Sequence, residues 1–142
     1  MQTITGSLAI ILTTDNTFLL QLRENIPTID EPGKIGLFGG SAKEGEPFEE
    51  CIKRELIEEL ELDITKYSYN HFRTIKFQSI YKDAPCKKNI ALYVVKEVAL
   101  EKIQLHEGKE IISLAFSNDF SNPAISSTTR QVLEKYRTST MY

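Results

Sequence analysis

The chain has 142 residues, a formal net charge of −3 and a 26% charged fraction. That length leads us to expect one domain, residues 1–142, with enough chain to enclose a hydrophobic core without disulfides or structural metals. Mild acidity without a long basic run argues against duplex nucleic acid as a partner, the longest apolar stretch is far too short for a membrane span, and no secretory signal is evident, so a cytoplasmic protein is expected.

Leu8 to Leu12 is almost continuously apolar, as suits a strand covered on both faces. Asp15-Asn16 is a turn signal. Phe18, Leu20 and Leu22 then alternate with Leu19, Gln21 and Arg23, so the two runs read as a hairpin. Asn25 to Lys34 holds two prolines and a glycine and reads as a loop. Ile35 to Phe38 is a short strand ending at Gly39-Gly40, and Ser41 to Gly45 is a connection.

From Pro47 to Leu60 the pattern is helical. Pro47 suits the first helical position and places Glu46 at the N-cap. Glu49 and Glu50 fall in the first turn, where the helix dipole favours acids. Two β-type runs follow, His71 to Lys82 and Asn89 to Val98, with Asp83-Ala84-Pro85 as the turn between them. In the second run Ile90, Leu92 and Val94 line one side and Ala91, Tyr93 and Val95 the other, which predicts a central strand. Glu107-Gly108-Lys109 is a loop, Ile111 to Phe116 a strand, and Ser126-Ser127-Thr128 caps a last helix whose apolar stripe is Val132, Leu133 and Tyr136. The order of strands, helix, strands, helix implies a mixed sheet with helices packed on it, in the α/β class. Cys51 and Cys86 have neither zinc-ligand nor redox spacing and are expected to be free thiols.

The first helix is unusual. At about 100° per residue, Phe48, Cys51, Ile52, Glu58, Glu59 and Leu62 all lie within about 60° of Glu55. Three carboxylates thus share a stripe with apolar groups. Like charges at these spacings cost about 0.2–0.5 kcal/mol per pair, and the dipole opposes acids near a helix C-terminus. A hard divalent cation, which takes oxygen ligands, would remove both penalties. Arg54 beside the cluster has two readings: it pairs with a helix glutamate, or it reaches a phosphate. Gly39-Gly40 also has two: a tight turn, or a backbone carbonyl facing the same ion.

From Gly40 the chain runs Gly40, five residues, Glu46, seven residues, Arg54-Glu55-Leu56, one residue, Glu58-Glu59, one residue, Glu61-Leu62. This segment resembles the Nudix box, G-x5-E-x7-R-E-U-x-E-E-x-G-U, with U a bulky aliphatic. Only Glu61, which stands where the box has glycine, departs from it, and that departure bears on how the helix ends. The resemblance implies an α/β/α sandwich with a mixed sheet. It implies Mg²⁺ or Mn²⁺ held by Glu55, Glu58 and Glu59, with Gly39 contributing its carbonyl. Family members differ on whether the residue at Glu55 is a ligand or the base that activates water. Arg54 would orient a helix glutamate, and Glu46 would support the loop before the helix. A further acid often comes from a loop beyond the central strands, and of Glu107 and Glu110 we prefer Glu107.

The implied catalytic set is therefore Glu55, Glu58 and Arg54. Arg23, Gly40 and Glu46 are the residues expected to meet or frame the substrate. The implied activity is metal-dependent hydrolysis of the diphosphate linkage in a nucleoside diphosphate derivative, a (d)NTP or related nucleotide. The alternative is a non-catalytic Nudix module that senses a nucleotide or binds a protein partner. Such modules commonly lose box acids, and all are present here. A Nudix-fold isomerase would need a cysteine outside the box, and Cys86 is expected in a turn. His71, Tyr67, Tyr69, Phe77 and Tyr81 are available to stack on a base or to pack. A homodimer is open to the chain.

Overall fold

The computed structural model describes residues 1–26 and 31–141. Part of the loop expected over 25–34 lies outside them. Seven strands and two α-helices are present among the described residues: β1 Gln2–Thr13, β2 Thr17–Leu22, β3 Ile35–Gly36, β4 Phe38–Ser41, α1 Phe48–Leu60, β5 Ser68–Tyr81, β6 Ala84–Val98, β7 Glu110–Ala115 and α2 Ser127–Ser139.

The central strands explain the sheet. β1 runs parallel to β6, with Leu8 opposite Leu92 and Ile10 opposite Val94. On its other side β1 pairs antiparallel with β4 at Gly6, Ser7, Leu8 and Ala9 and with β2 at Ile11 and Leu12. β5 closes one edge against β6, while β3 and β7 both pair with β2. The sheet is mixed, as expected.

Because successive side chains in a strand point to opposite faces, β1, β2 and β6 feed two separate cores. On one face Ile10, Leu12, Phe18, Leu20, Ile90, Leu92 and Val94 pack beneath Val132, Leu133 and Tyr136 of α2. On the other, Ala9, Ile11, Leu19, Ala91, Tyr93 and Val95 pack beneath Ile52, Leu56 and Leu60 of α1. Those three α1 side chains are fully buried, each contributing about 1.5–3 kcal/mol. The helices therefore sandwich the sheet. Ser126 caps α2 as expected, its hydroxyl accepting from the Thr129 N–H at 3.1 Å.

Several expectations need correction. Pro47, not Glu46, is the N-cap of α1, so the helix starts one residue later. The β5–β6 turn is Lys82-Asp83, both at positive φ (52° and 61°), with Tyr81 paired to Ala84. This is the two-residue hairpin geometry that matches strand twist. Pro85 is consequently inside β6. It faces Ile80 just before pairing with β1 begins at Cys86, so its missing N–H interrupts no ladder. Cys86 is a buried strand residue rather than a turn residue. Gly39-Gly40 lies within β4, after a break at Leu37.

Candidate active site

The site forms where β4 meets α1 and the 103–109 loop. α1 rests on the sheet through Ile52, Leu56 and Leu60, and that contact sets where its acids go. Glu59 turns inward and is only 1% exposed. Glu55 sits largely buried at the helix edge, while Glu58 points outward with more than half of its side chain exposed. The single stripe of three acids expected from the sequence is therefore split.

One ligand-type oxygen from each of Glu55, Glu59 and Glu107 lies within 4.8 Å of the others. Burial pushes the Glu59 carboxyl up to about 10, reinforced by the hydrogen bond and negative charge of Glu107 and opposed by the N–H of Gly39. That N–H donates to Glu59 Oε1 at 2.7 Å. Burial also raises the Glu55 carboxyl, against the pull of Arg54. Two acids held out of water beside a third are an unfavourable arrangement unless a cation joins them.

The two glycines of β4 make this approach possible. Gly39 has φ of +133°, and a Cβ there would lie 2.2 Å from the Ser7 carbonyl oxygen. A Cβ on Gly40 would lie 2.8 Å from the Glu55 carboxyl carbon. Below them Ser7, fully buried, donates its hydroxyl to the Phe48 carbonyl at 2.8 Å, tying β1 to the start of α1.

Arg54 is engaged with the glutamates around it. Its Nε and Nη2 grip both Glu46 oxygens at 2.8 Å, Nη1 donates to Glu55 Oε1 at 2.9 Å and to Glu58 Oε2 at 3.1 Å, and Nη2 donates to the Ser41 carbonyl at 3.1 Å. All five N–H donors of the guanidinium are engaged. Arg54 thus ties the loop to the helix acids and has no donor left for a phosphate. The Glu46 carboxyl is held down at about 2, first by Arg54 and then by the Lys43 N–H.

A cleft of about 360 Å³ opens beside the three acids. Arg23, Gly39, Gly40, Glu55 and Glu107 line it together with Phe77, Ser79, Tyr81 and Lys88 of the β5–β6 hairpin. Glu46, Arg54 and Glu58 lie outside this lining. Of the five residues offered for stacking, only Phe77 and Tyr81 reach the cleft. His71 packs edge-on to Tyr93, and the Tyr69 hydroxyl donates to Glu49. Sequence reasoning missed Lys88, although continuing the Ile90–Leu92–Val94 face two residues back leads to it. It also missed Gln21, a buried amide that donates to the Leu37 carbonyl at 3.1 Å and steadies the break before β4. Nothing in the local pattern marked that residue.

A family profile of the NUDIX domain matches residues 4–125, and the chain belongs to that family. No curated protein matches it in sequence. Among solved structures it is similar over 99% of its length to the MutT protein from Methanosarcina mazei Go1, covering 97% of that chain at a TM-score of 0.78 and 18% identity. The E. coli dihydroneopterin triphosphate pyrophosphohydrolase gives a TM-score of 0.76 at 18% identity, with 98% of this chain and 99% of that one covered. The NUDIX domain of Shewanella oneidensis NrtR, crystallised with ADP ribose, gives 0.73 at 17% identity, with 99% and 90% covered. This is a Nudix hydrolase, of the class of nucleoside diphosphate-X pyrophosphohydrolases, which generally use divalent metal ions. Among the described residues no helix is long and apolar enough to cross a membrane.

Proposed function

We propose that the chain hydrolyses the diphosphate linkage of a nucleotide, a (d)NTP or a related nucleoside diphosphate derivative, with Mg²⁺ or Mn²⁺ held by Glu55, Glu59 and Glu107. The observation that carries this reading is the convergence of those three carboxylates at the wall of a cleft that also presents Arg23, Phe77 and Tyr81. The donor set fits the metal. All three ligands are carboxylate oxygens, which suit hard cations, and the nearly sealed Glu59 has Glu107 and Glu55 as negative neighbours. Gly39 adds backbone at the same place, and Glu58 stands just outside as a support held by Arg54.

A divalent cation bound there supplies charge neutralisation for diphosphate oxygens and acidifies a water. The protein's own groups do the rest. Glu55 has two readings here, a ligand of the ion or the base that takes a proton from the attacking water. Arg54 fixes the orientation of Glu55 through Oε1, and Glu46 fixes Arg54 in turn. Arg23 meets the phosphates, while Phe77 and Tyr81 offer faces to a planar base. Water attacks one phosphorus, and a phosphate-bearing group leaves. The named activity of the dihydroneopterin triphosphate pyrophosphohydrolase and the ADP ribose bound to the NrtR domain support a diphosphate-bearing small molecule as the substrate. Two buried free thiols, Cys51 and Cys86, suit work in the reducing cytoplasm.

The test is a release assay for phosphate and pyrophosphate across nucleoside triphosphates, nucleotide sugars, dinucleoside polyphosphates and ADP-ribose, with Mg²⁺, with Mn²⁺ and with EDTA. Metal-dependent release from at least one class is expected. No release from any, with nucleotide binding retained, would instead make the chain a sensing module.

A further inference from the structure

Glu61 stands where the box has glycine, and it adopts the left-handed conformation that glycine tolerates, with φ 53° and ψ 32°. Its N–H closes the helix by donating to the Ile57 carbonyl at 2.9 Å. Glycine would make that bond without the steric cost a Cβ brings to this conformation. The side chain does something a glycine could not. The Nε2–H of His106 donates to Glu61 Oε2 at 2.7 Å.

His106 immediately precedes Glu107. Its own N–H donates to the Glu59 carbonyl at 2.8 Å, and the Gln104 N–H donates to the Leu60 carbonyl at 3.0 Å. The loop thus satisfies carbonyls that the end of α1 leaves without intrahelical partners. On the far side of Glu107, the Lys109 N–H donates to the Leu22 carbonyl at 2.8 Å. Glu107 is therefore strung between the helix end and β2, next to the buried Glu59 carboxyl, with which it shares a hydrogen bond. Backbone bonds fix the path of this loop, and the Glu61–His106 contact adds a side-chain tether one residue from the acid that must be placed.

We infer that Glu61 and His106 form a clasp that positions Glu107 against Glu59, making Glu61 a positioning residue of the carboxylate site. The inference rests on the reading of that site given above. Both side chains are about half exposed, at 55% and 47%, so the clasp is a modest bias on the loop rather than a pillar of the fold.

The experiment uses the full chain with Glu61→Gln, Glu61→Ala, Glu61→Gly, His106→Ala and the Glu61→Ala/His106→Ala pair. Two quantities are read: amide hydrogen exchange at residues 106–108 in EDTA, and Mn²⁺ affinity by electron paramagnetic resonance. Glu61→Ala, Glu61→Gly and His106→Ala should each speed exchange and weaken Mn²⁺ binding by about threefold, the scale of a half-exposed pair. The double variant should be no worse than either single. Glutamine keeps an acceptor of the same reach and should retain wild-type values. Glycine relieves the backbone, so Glu61→Gly should melt higher than Glu61→Ala while binding Mn²⁺ equally poorly, a split that a purely structural role would not produce. Wild-type exchange in the Ala and Gly variants, additive losses in the double variant, or a glutamine variant that behaves like alanine would each overturn the clasp. Glu59→Gln and Glu107→Gln serve as controls. If they leave Mn²⁺ affinity unchanged, the carboxylate site itself fails, while the metal-free exchange data still decide the clasp.

Discussion

Replacing Glu59 with glutamine should make the metal-free protein more stable and the enzyme nearly inactive. Burial, helped by Glu107, raises the Glu59 carboxyl from 4.5 to about 10 in the folded state. Between those values the folded chain keeps a proton that the unfolded chain has shed. Stability is therefore lost progressively as pH rises through that window, and is fully retained only below about pH 4.5. At pH 7 the proton has been held for two and a half pH units, a loss of about 3 kcal/mol. Glutamine matches the protonated acid in shape. It can still accept from the Gly39 N–H, and its amide can donate toward Glu107. In EDTA at pH 7 the variant should gain up to about 3 kcal/mol, or roughly 6–12 °C in melting temperature. Its stability should also fall less between pH 5 and pH 9 than that of wild type. Added Mg²⁺ should reverse the order by stabilising wild type only, and turnover of the variant should drop by about a hundredfold or more. The assay is a set of thermal melts across pH with EDTA or Mg²⁺. A variant that melts below wild type in EDTA at pH 8, or shares its pH slope, would refute the reasoning.

Arg54→Lys should lower kcat by about tenfold or more and also lower the melting temperature, because three ammonium donors on a point charge cannot replace a planar fork holding Glu46, Glu55, Glu58 and the Ser41 carbonyl. Steady-state kinetics and calorimetry check it. Gly40→Ala should displace the Glu55 carboxylate, which a Cβ would approach to 2.8 Å. Mn²⁺ affinity and kcat should then both fall while the circular dichroism spectrum stays that of wild type. Asp83→Gly should stabilise the fold by about 0.5 kcal/mol, since Asp83 sits at positive φ in the second position of a two-residue hairpin turn. Denaturant melts should show a higher midpoint with unchanged turnover.

The sheet was readable because its central strands bury both faces. The opposed sets Ile90–Leu92–Val94 and Ala91–Tyr93–Val95 fall into the two cores they imply. The ends of elements were harder to read. Asp83-Ala84-Pro85 looks like a turn by composition, yet the reversal comes one residue earlier, at Lys82-Asp83, where backbone conformation decides rather than residue preference. Pro85 is tolerated in a strand only because β1 has not yet joined it, a fact about register that no local window holds. Composition puts Pro47 one residue too far into the helix for a similar reason: its φ of −64° suits a cap as well as a first turn.

The candidate site divides along the same physical line. Residues of one helix can be compared by angle, so the gathering of acids on α1 was visible. Angle alone, however, put Glu55, Glu58 and Glu59 on one stripe. What separates them is the contact of Ile52, Leu56 and Leu60 with the sheet, which turns Glu59 inward and leaves Glu58 to Arg54. The third member of the cluster comes from 48 residues further along the chain, and only its place beside Gly108 suggested it. The acid at position 61 carries this furthest. In sequence it is a departure from a motif. In the structure it occupies the glycine's conformation and grips the residue before Glu107, so the departure from the box adds a side-chain contact where backbone bonds already join the helix end to the loop.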